Sequence, residues 1–193
     1  MTSILRITER RRSGFTMIEL LLVVAVVGVM MTIVVPRMRI SESTEVQLAG
    51  MQLAQDIDLA RTRALSTRSL VRVAFTNSAL PSYTGYLDDN GDSTITQTTA
   101  EALALRGWQT RELPERIEYG RGSAPGVPGE IGSGAITWAS SRAQFDARGL
   151  VAPSGASGTV YLRHSNKPGE AAAVAVSPSG SVRLWVYHNG SWK

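Results

Sequence analysis

Arg10-Arg11-Arg12-Ser13-Gly14-Phe15-Thr16-Met17-Ile18-Glu19 runs straight into the apolar block of residues 20–35. From Phe15 to Val35 the chain has 21 residues, and Glu19 is the only ionisable side chain among them. A helix of that length covers about 31 Å at 1.5 Å per residue, against roughly 30 Å of hydrocarbon in a bilayer. The block is therefore expected to span a membrane. Arg6, Arg10, Arg11 and Arg12 crowd its N-terminal side, and basic flanks are retained on the cytoplasmic side, so the remainder of the chain is expected outside. An ordinary secretory signal has an apolar core of about 7–15 residues followed by small residues. Here the run is longer and ends Val34-Val35-Pro36-Arg37-Met38, which fits such a signal poorly.

Glu19 is the anomaly. A carboxylate at mid-membrane costs on the order of 2.5–3.5 kcal/mol, somewhat less near the interface, and is rarely tolerated without a partner. Cleavage between Gly14 and Phe15 would free an α-amino group able to meet it, in the same chain or in a neighbouring one. Glu19 would then also lie in the first helical turn, where the helix dipole favours negative charge.

The segment Gly14-Phe15-Thr16-Met17-Ile18-Glu19-Leu20-Leu21, behind its short basic leader, resembles the processing site of type IV pilins and type II secretion pseudopilins. The resemblance implies that a prepilin peptidase cuts after Gly14 on the cytoplasmic side and methylates the amine of Phe15. It implies that Glu19 helps recruit and register subunits, and that Arg10, Arg11 and Arg12 hold the leader on the cytoplasmic face.

Beyond Pro36, which removes a backbone donor and should kink or loosen the helix, Val46, Gly50, Leu53, Ile57, Ala60 and Ala64 recur at helical spacing. Glu42, Glu45, Gln52, Gln55, Asp56, Arg61 and Arg63 lie on the polar side. One nearly continuous helix over 15–66 is expected, half in the membrane and half embedded in a domain. From residue 70 the pattern changes to short strands, expected at 70–75, 83–87, 117–119, 135–138, 143–146, 159–163, 172–177 and 182–187. The Gly/Pro-rich stretches 120–134 and 153–158 are expected to be mobile loops. The expected class is α+β, a type IV pilin-like long helix packed on an antiparallel β domain. The expected divisions are a leader at 1–14, a membrane span at 15–35, the outer half of the helix at 36–66 and a β domain at 67–193.

Within that domain, Gln144-Phe145-Asp146-Ala147-Arg148-Gly149-Leu150-Val151, Gly158-Thr159-Val160-Tyr161-Leu162 and Ala173-Val174-Ala175-Val176-Ser177-Pro178-Ser179-Gly180-Ser181-Val182-Arg183 resemble the GspH/FimT group of minor pseudopilins. So does the helical pattern of Ala54, Ala60, Arg61 and Ala64. The resemblance implies a low-copy subunit at or near the tip of a periplasmic pseudopilus of a type II secretion system. Implied partners are prepilin peptidase, other major and minor pseudopilins, an inner-membrane assembly platform, membrane lipid and exported protein. The implied location is the inner membrane, single-pass, with the C-terminal domain periplasmic.

The alternative within the group is a FimT-like pilin that takes up DNA. The family's paired-arginine motif reads Gly180-Ser181-Val182-Arg183 here, so serine replaces one arginine, and each lost cation weakens phosphate binding. The chain's formal charge is +4, but residues 1–14 hold four arginines and one glutamate, leaving +1 for the rest. Residues 73–119 carry three basic and seven acidic groups, whereas residues 120–193 carry seven basic and three acidic. Arg148, Arg163, Lys167 and Arg183 are the candidate nucleic-acid contacts.

Asp88-Asp89-Asn90-Gly91-Asp92 has the spacing that opens a calcium loop, but Ser93 stands where the loop glycine belongs and Thr99 where the glutamate belongs. A polar hairpin turn is the reading preferred. His164 and His188 lack neighbours at metal spacing and read as surface strand residues. No nucleophile elbow or phosphate loop occurs, and the chain has no cysteine, which removes disulfides and thiol chemistry. No catalytic residue, metal or cofactor is expected.

Overall fold

The computed structural model describes residues 14–37, 41–104, 110–130 and 132–193. The chain divides into two units, Met1–Ile40 and Ser41–Lys193. The first holds one helix, α1, Met17–Arg37. It begins where Thr16 Oγ1 accepts the backbone N–H of Glu19 at 3.3 Å, the hydroxyl cap of a Thr-x-x-Glu start. Pro36 lies one residue before its end. The expected continuity of a single helix over 15–66 turns on residues 38–40, which lie outside the described residues.

The second unit opens with α2, Glu42–Thr67, preceded by Ser41 and carrying Glu42 and Glu45 in its first turn, where the dipole favours them. It ends at Arg68, whose left-handed φ of 53° turns the chain away. All six residues of the expected stripe are buried, joined by Ala49 and Asp56. Asp56 departs from the expected polar face. It accepts the Tyr83 hydroxyl at 2.6 Å and lies 3.4 Å from Arg111, so a buried carboxylate ties the helix to the strands beside it. The burial is possible because both partners are supplied.

Two antiparallel sheets carry the rest. One has the order β3-β2-β1-β5, from β1 Val71–Thr76, β2 Ser82–Leu87, β3 Arg111–Glu112 and β5 Arg142–Phe145. The other has the order β4-β6-β7-β8-β9, from β4 Ile117–Tyr119, β6 Gly158–His164, β7 Lys167–Val176, β8 Val182–His188 and β9 Ser191–Trp192. A short helix, α3, Thr99–Ala104, follows Thr98, and Glu101 accepts the Thr98 N–H at 2.9 Å. The core joins Leu53, Ile57 and Ala60 of α2 to Val71 and Phe145 of the first sheet and to Val160, Leu162 and Val174 of the second. Gly50 lets α2 approach the second sheet closely, since a Cβ there would sit 2.8 Å from Leu184 Cδ1 and 2.9 Å from Ala172 Cβ. The α+β class expected from the sequence is the one observed.

Three further expectations are corrected. Residues 135–138 form no strand; Ile136 makes a single bridge to Val160, and Ser140 and Ser141, with φ of 54° and 50°, turn the chain at once. The stretch 120–134 is pinned rather than loose. Arg121 Nε donates to Gly134 O at 3.0 Å, its guanidinium lies 4.1 Å over the Tyr161 ring, and the Val127 N–H donates to Tyr161 Oη at 2.9 Å. His164 is fully buried, with Nε2 3.3 Å from Glu45 Oε2 and Nδ1 accepting the Asn166 N–H at 3.2 Å. A nitrogen that accepts an N–H carries no proton, so Nε2 is the protonated one and donates to Glu45.

Candidate functional site

Residues 14–33 are exposed without exception, including Phe15 at 77% and Met17 at 83%. Full burial of each large apolar side chain is worth about 1.5–3 kcal/mol, so covering this helix would release a large free energy. Glu19 lies in its first turn. A Cβ on Gly14 would meet nothing within 4 Å, and its φ is not in the left-handed region. The chain's own structure thus gives no reason for glycine at that position. Arg10, Arg11 and Arg12 lie outside the described residues. Among the described residues no helix is long and apolar enough to cross a membrane; the side chains described in α1 end at Ile33.

The arginine run, the glycine and the Glu19-bearing helix fall within one match. Residues 10–35 fit the family model described as the prokaryotic N-terminal methylation motif. The chain carries that motif. No curated protein matches the chain. Among solved structures, the fold is similar to the type IV minor pilin FimU of Pseudomonas aeruginosa, at 14% identity over 73% of this chain and 88% of that one, TM-score 0.48. It is also similar to the minor pseudopilin EpsH from the Type 2 Secretion System of Vibrio cholerae, at 14% identity over 74% of this chain and 97% of that one, TM-score 0.46. Likenesses of this grade say nothing of what the motif-bearing chain binds or joins.

The four candidate nucleic-acid contacts do not converge. Arg148 pairs with Asp146 of its own turn at 2.8 Å, Arg163 with Glu118 at 2.9 Å, and Lys167 with Glu42 at 3.5 Å. Lys167 therefore lies at the start of α2, while the residue after Arg148, Gly149, accepts Arg61 Nε at 3.1 Å near its end. Those points are about 28 Å apart along the helix at 1.5 Å per residue. Arg183 alone has no carboxylate partner among the described residues; its guanidinium lies 5.1 Å from the Trp185 ring centre. Three of the four are thus paired with carboxylates and, among the described residues, Arg183 is not.

The acidic turn consumes its own ligands. Asp88 accepts the N–H groups of Gly91 and Ser93, each at 2.9 Å, and Asp92 accepts the Thr94 N–H at 2.7 Å. It is not the hairpin turn expected, because α3 rather than a strand follows it. His188 lies beside Glu170 at 3.1 Å, its side chain 44% exposed. Sequence reading missed Asp56, Glu130 and the buried state of His164. Asp56 had one visible signal, its place one residue before the stripe position Ile57. His164 had none, because its partner Glu45 is 119 positions away.

Proposed function

We propose that this chain is a minor pseudopilin of a type II secretion system, cut between Gly14 and Phe15, methylated on the Phe15 amine, and assembled at or near the tip of a periplasmic pseudopilus. The observation that carries the reading is the methylation motif over residues 10–35. It falls on a glycine with no close neighbour and on an apolar helix whose large side chains are exposed. In this reading residues 1–14 are the leader, with Arg10, Arg11 and Arg12 held in the cytoplasm, and residues 15–35 span the inner membrane, since the apolar run continues through Val34 and Val35. The outer half of the helix, 36–66, and the β domain, 67–193, then lie in the periplasm. Glu19 meets the freed amine of its own or a neighbouring subunit and sets the axial offset between helices. The partners are the peptidase, the other pseudopilins, the assembly platform, lipid and exported protein, and the role is structural rather than enzymatic. The DNA-uptake alternative loses ground because Arg148, Arg163 and Lys167 are each paired.

Mass spectrometry of the protein isolated from its host is expected to show a start at methylated Phe15. Glu19→Ala is expected to be cut yet assemble poorly, and Gly14→Val to remain uncut. An intact start with all three consecutive arginines retained overturns the reading.

A further inference from the structure

On the face of the second sheet turned away from α2, adjacent strands line up Thr159 with Ala175 and Ala175 with Arg183. The next row in the same direction is Tyr161, Ala173 and Trp185. The middle strand contributes only methyl groups, and Tyr161 and Ala173 are wholly buried in a cluster with Val127, Trp185 and Trp192, so the open trough lies over Ala175, between its β6 and β8 neighbours. Strands lie about 4.8 Å apart, which makes it about 10 Å wide from Thr159 to Arg183. The cavity measures about 400 Å³, within the roughly 300–1,000 Å³ typical of small-ligand sites.

Its two walls carry opposite hydrogen-bonding character. Glu130 lines the β6 side, and its carboxylate is fixed in place by the Gly132 N–H at 3.2 Å, the Thr137 hydroxyl at 3.2 Å and the Thr159 hydroxyl. Four acceptor sites on a carboxylate less three donors leave one to spare. Arg183 lines the β8 side beside Trp185, its guanidinium donors unused among the described residues. Ser177 and Ser181 close one end.

We propose that this trough binds a neutral, hydroxyl-rich ligand, a saccharide, held between the Glu130 carboxylate and the Arg183 guanidinium with Trp185 along one side. The fixed negative charge of Glu130 disfavours phosphate chains, and the positive charge of Arg183 disfavours cations. Hydroxyl groups satisfy both walls at once, donating to the carboxylate and accepting from the guanidinium. The C–H faces of a sugar ring suit the apolar floor that Ala175 provides.

The test uses the full chain in a detergent without a sugar head group, titrated with chitotetraose, cellotetraose and isomaltotriose while the tryptophan indole resonances are followed by NMR. A saturable shift of the Trp185 indole with at least one of the three is expected, insensitive to salt. Arg183→Gln and Ala175→Leu are each expected to weaken it by about tenfold or more, equivalent to about 1.4 kcal/mol or more, with the melting temperature unchanged. Arg183 and Ala175 are preferred to Glu130 because Glu130 also anchors the 130–137 turn. No saturable response to any of the three sugars overturns the proposal. So does a response that the two variants leave intact, or one that is stronger for oligothymidylate and collapses with salt.

Discussion

Gly50→Ala is expected to destabilise the domain, although in an exposed helix interior the same change gains about 1 kcal/mol. The new Cβ would stand 2.8 Å from Leu184 Cδ1 and 2.9 Å from Ala172 Cβ, where carbon atoms attract best at about 3.5–4.0 Å. Leu184 is half-buried, and its methyl can rotate aside. Ala172 cannot, because it is wholly buried and its strand is paired on both sides, to Leu162 and to Val186. Helix α2 must therefore lift by a few tenths of an ångström along a stripe that packs Leu53 and Ile57. Overpacking of this kind costs about 1–3 kcal/mol, which outweighs the propensity gain and leaves a net loss of about 1 kcal/mol. For a domain of this size that is a fall of about 2–4 °C in Tm, measurable by circular dichroism on the full chain in detergent. Adding Leu184→Ala removes one of the two contacts, so the overpacking cost assigned to Gly50→Ala should be smaller in that background. A rise in Tm for Gly50→Ala alone would refute the packing argument.

Gly122→Ala is expected to release the 120–134 stretch, since its φ is +58° and a Cβ would fall 2.0 Å from Pro168 O; a loss of about 2 kcal/mol or more and rapid proteolysis within that stretch are the readouts. Acid should destabilise the fold in a defined window. Burial pushes the Glu101 and Asp146 carboxyls up, but donors from Thr98 and Thr96 and from Leu150 and Arg148 outweigh it and hold both below the usual range. Carboxyls depressed in the folded state contribute stability above the unfolded value of about 4 and lose it below, so Tm should be flat from neutral pH to about 5 and fall under about 4. Burial raises the Tyr83 and Tyr119 hydroxyls, so their contribution is present below about pH 10 and lost above it; an absorbance titration should show them ionising only as the chain unfolds. Arg148→Ala should cost no more than about 1 kcal/mol, because its pair with Asp146 is exposed.

Periodicity made α2 legible, because Val46, Gly50, Leu53, Ile57, Ala60 and Ala64 all meet one core and a helix repeats its face every 3.6 residues. Seven of the eight expected strands overlap observed ones for a similar reason. The two-residue strands β3 and β9 were not legible, since a pair of residues has no period. The Gly/Pro content of 120–134 pointed to freedom, yet Arg121 and Tyr161, far apart in sequence, remove it. His164 read as a surface residue because nothing in its neighbourhood announces that Glu45, 119 positions away, covers it.

The sequence alone carried the N-terminal motif of this protein. A glycine before a phenylalanine, a lone glutamate and an unbroken apolar run are local properties that need no partner elsewhere in the chain to be read. Only the tertiary structure decided which polar groups are spent and which are left available. Arg163 and Lys167 are paired with carboxylates brought to them from distant elements, while strand pairing sets Thr159, Ala175 and Arg183 in one row, because charge pairing and sheet register depend on distances that sequence separation does not encode.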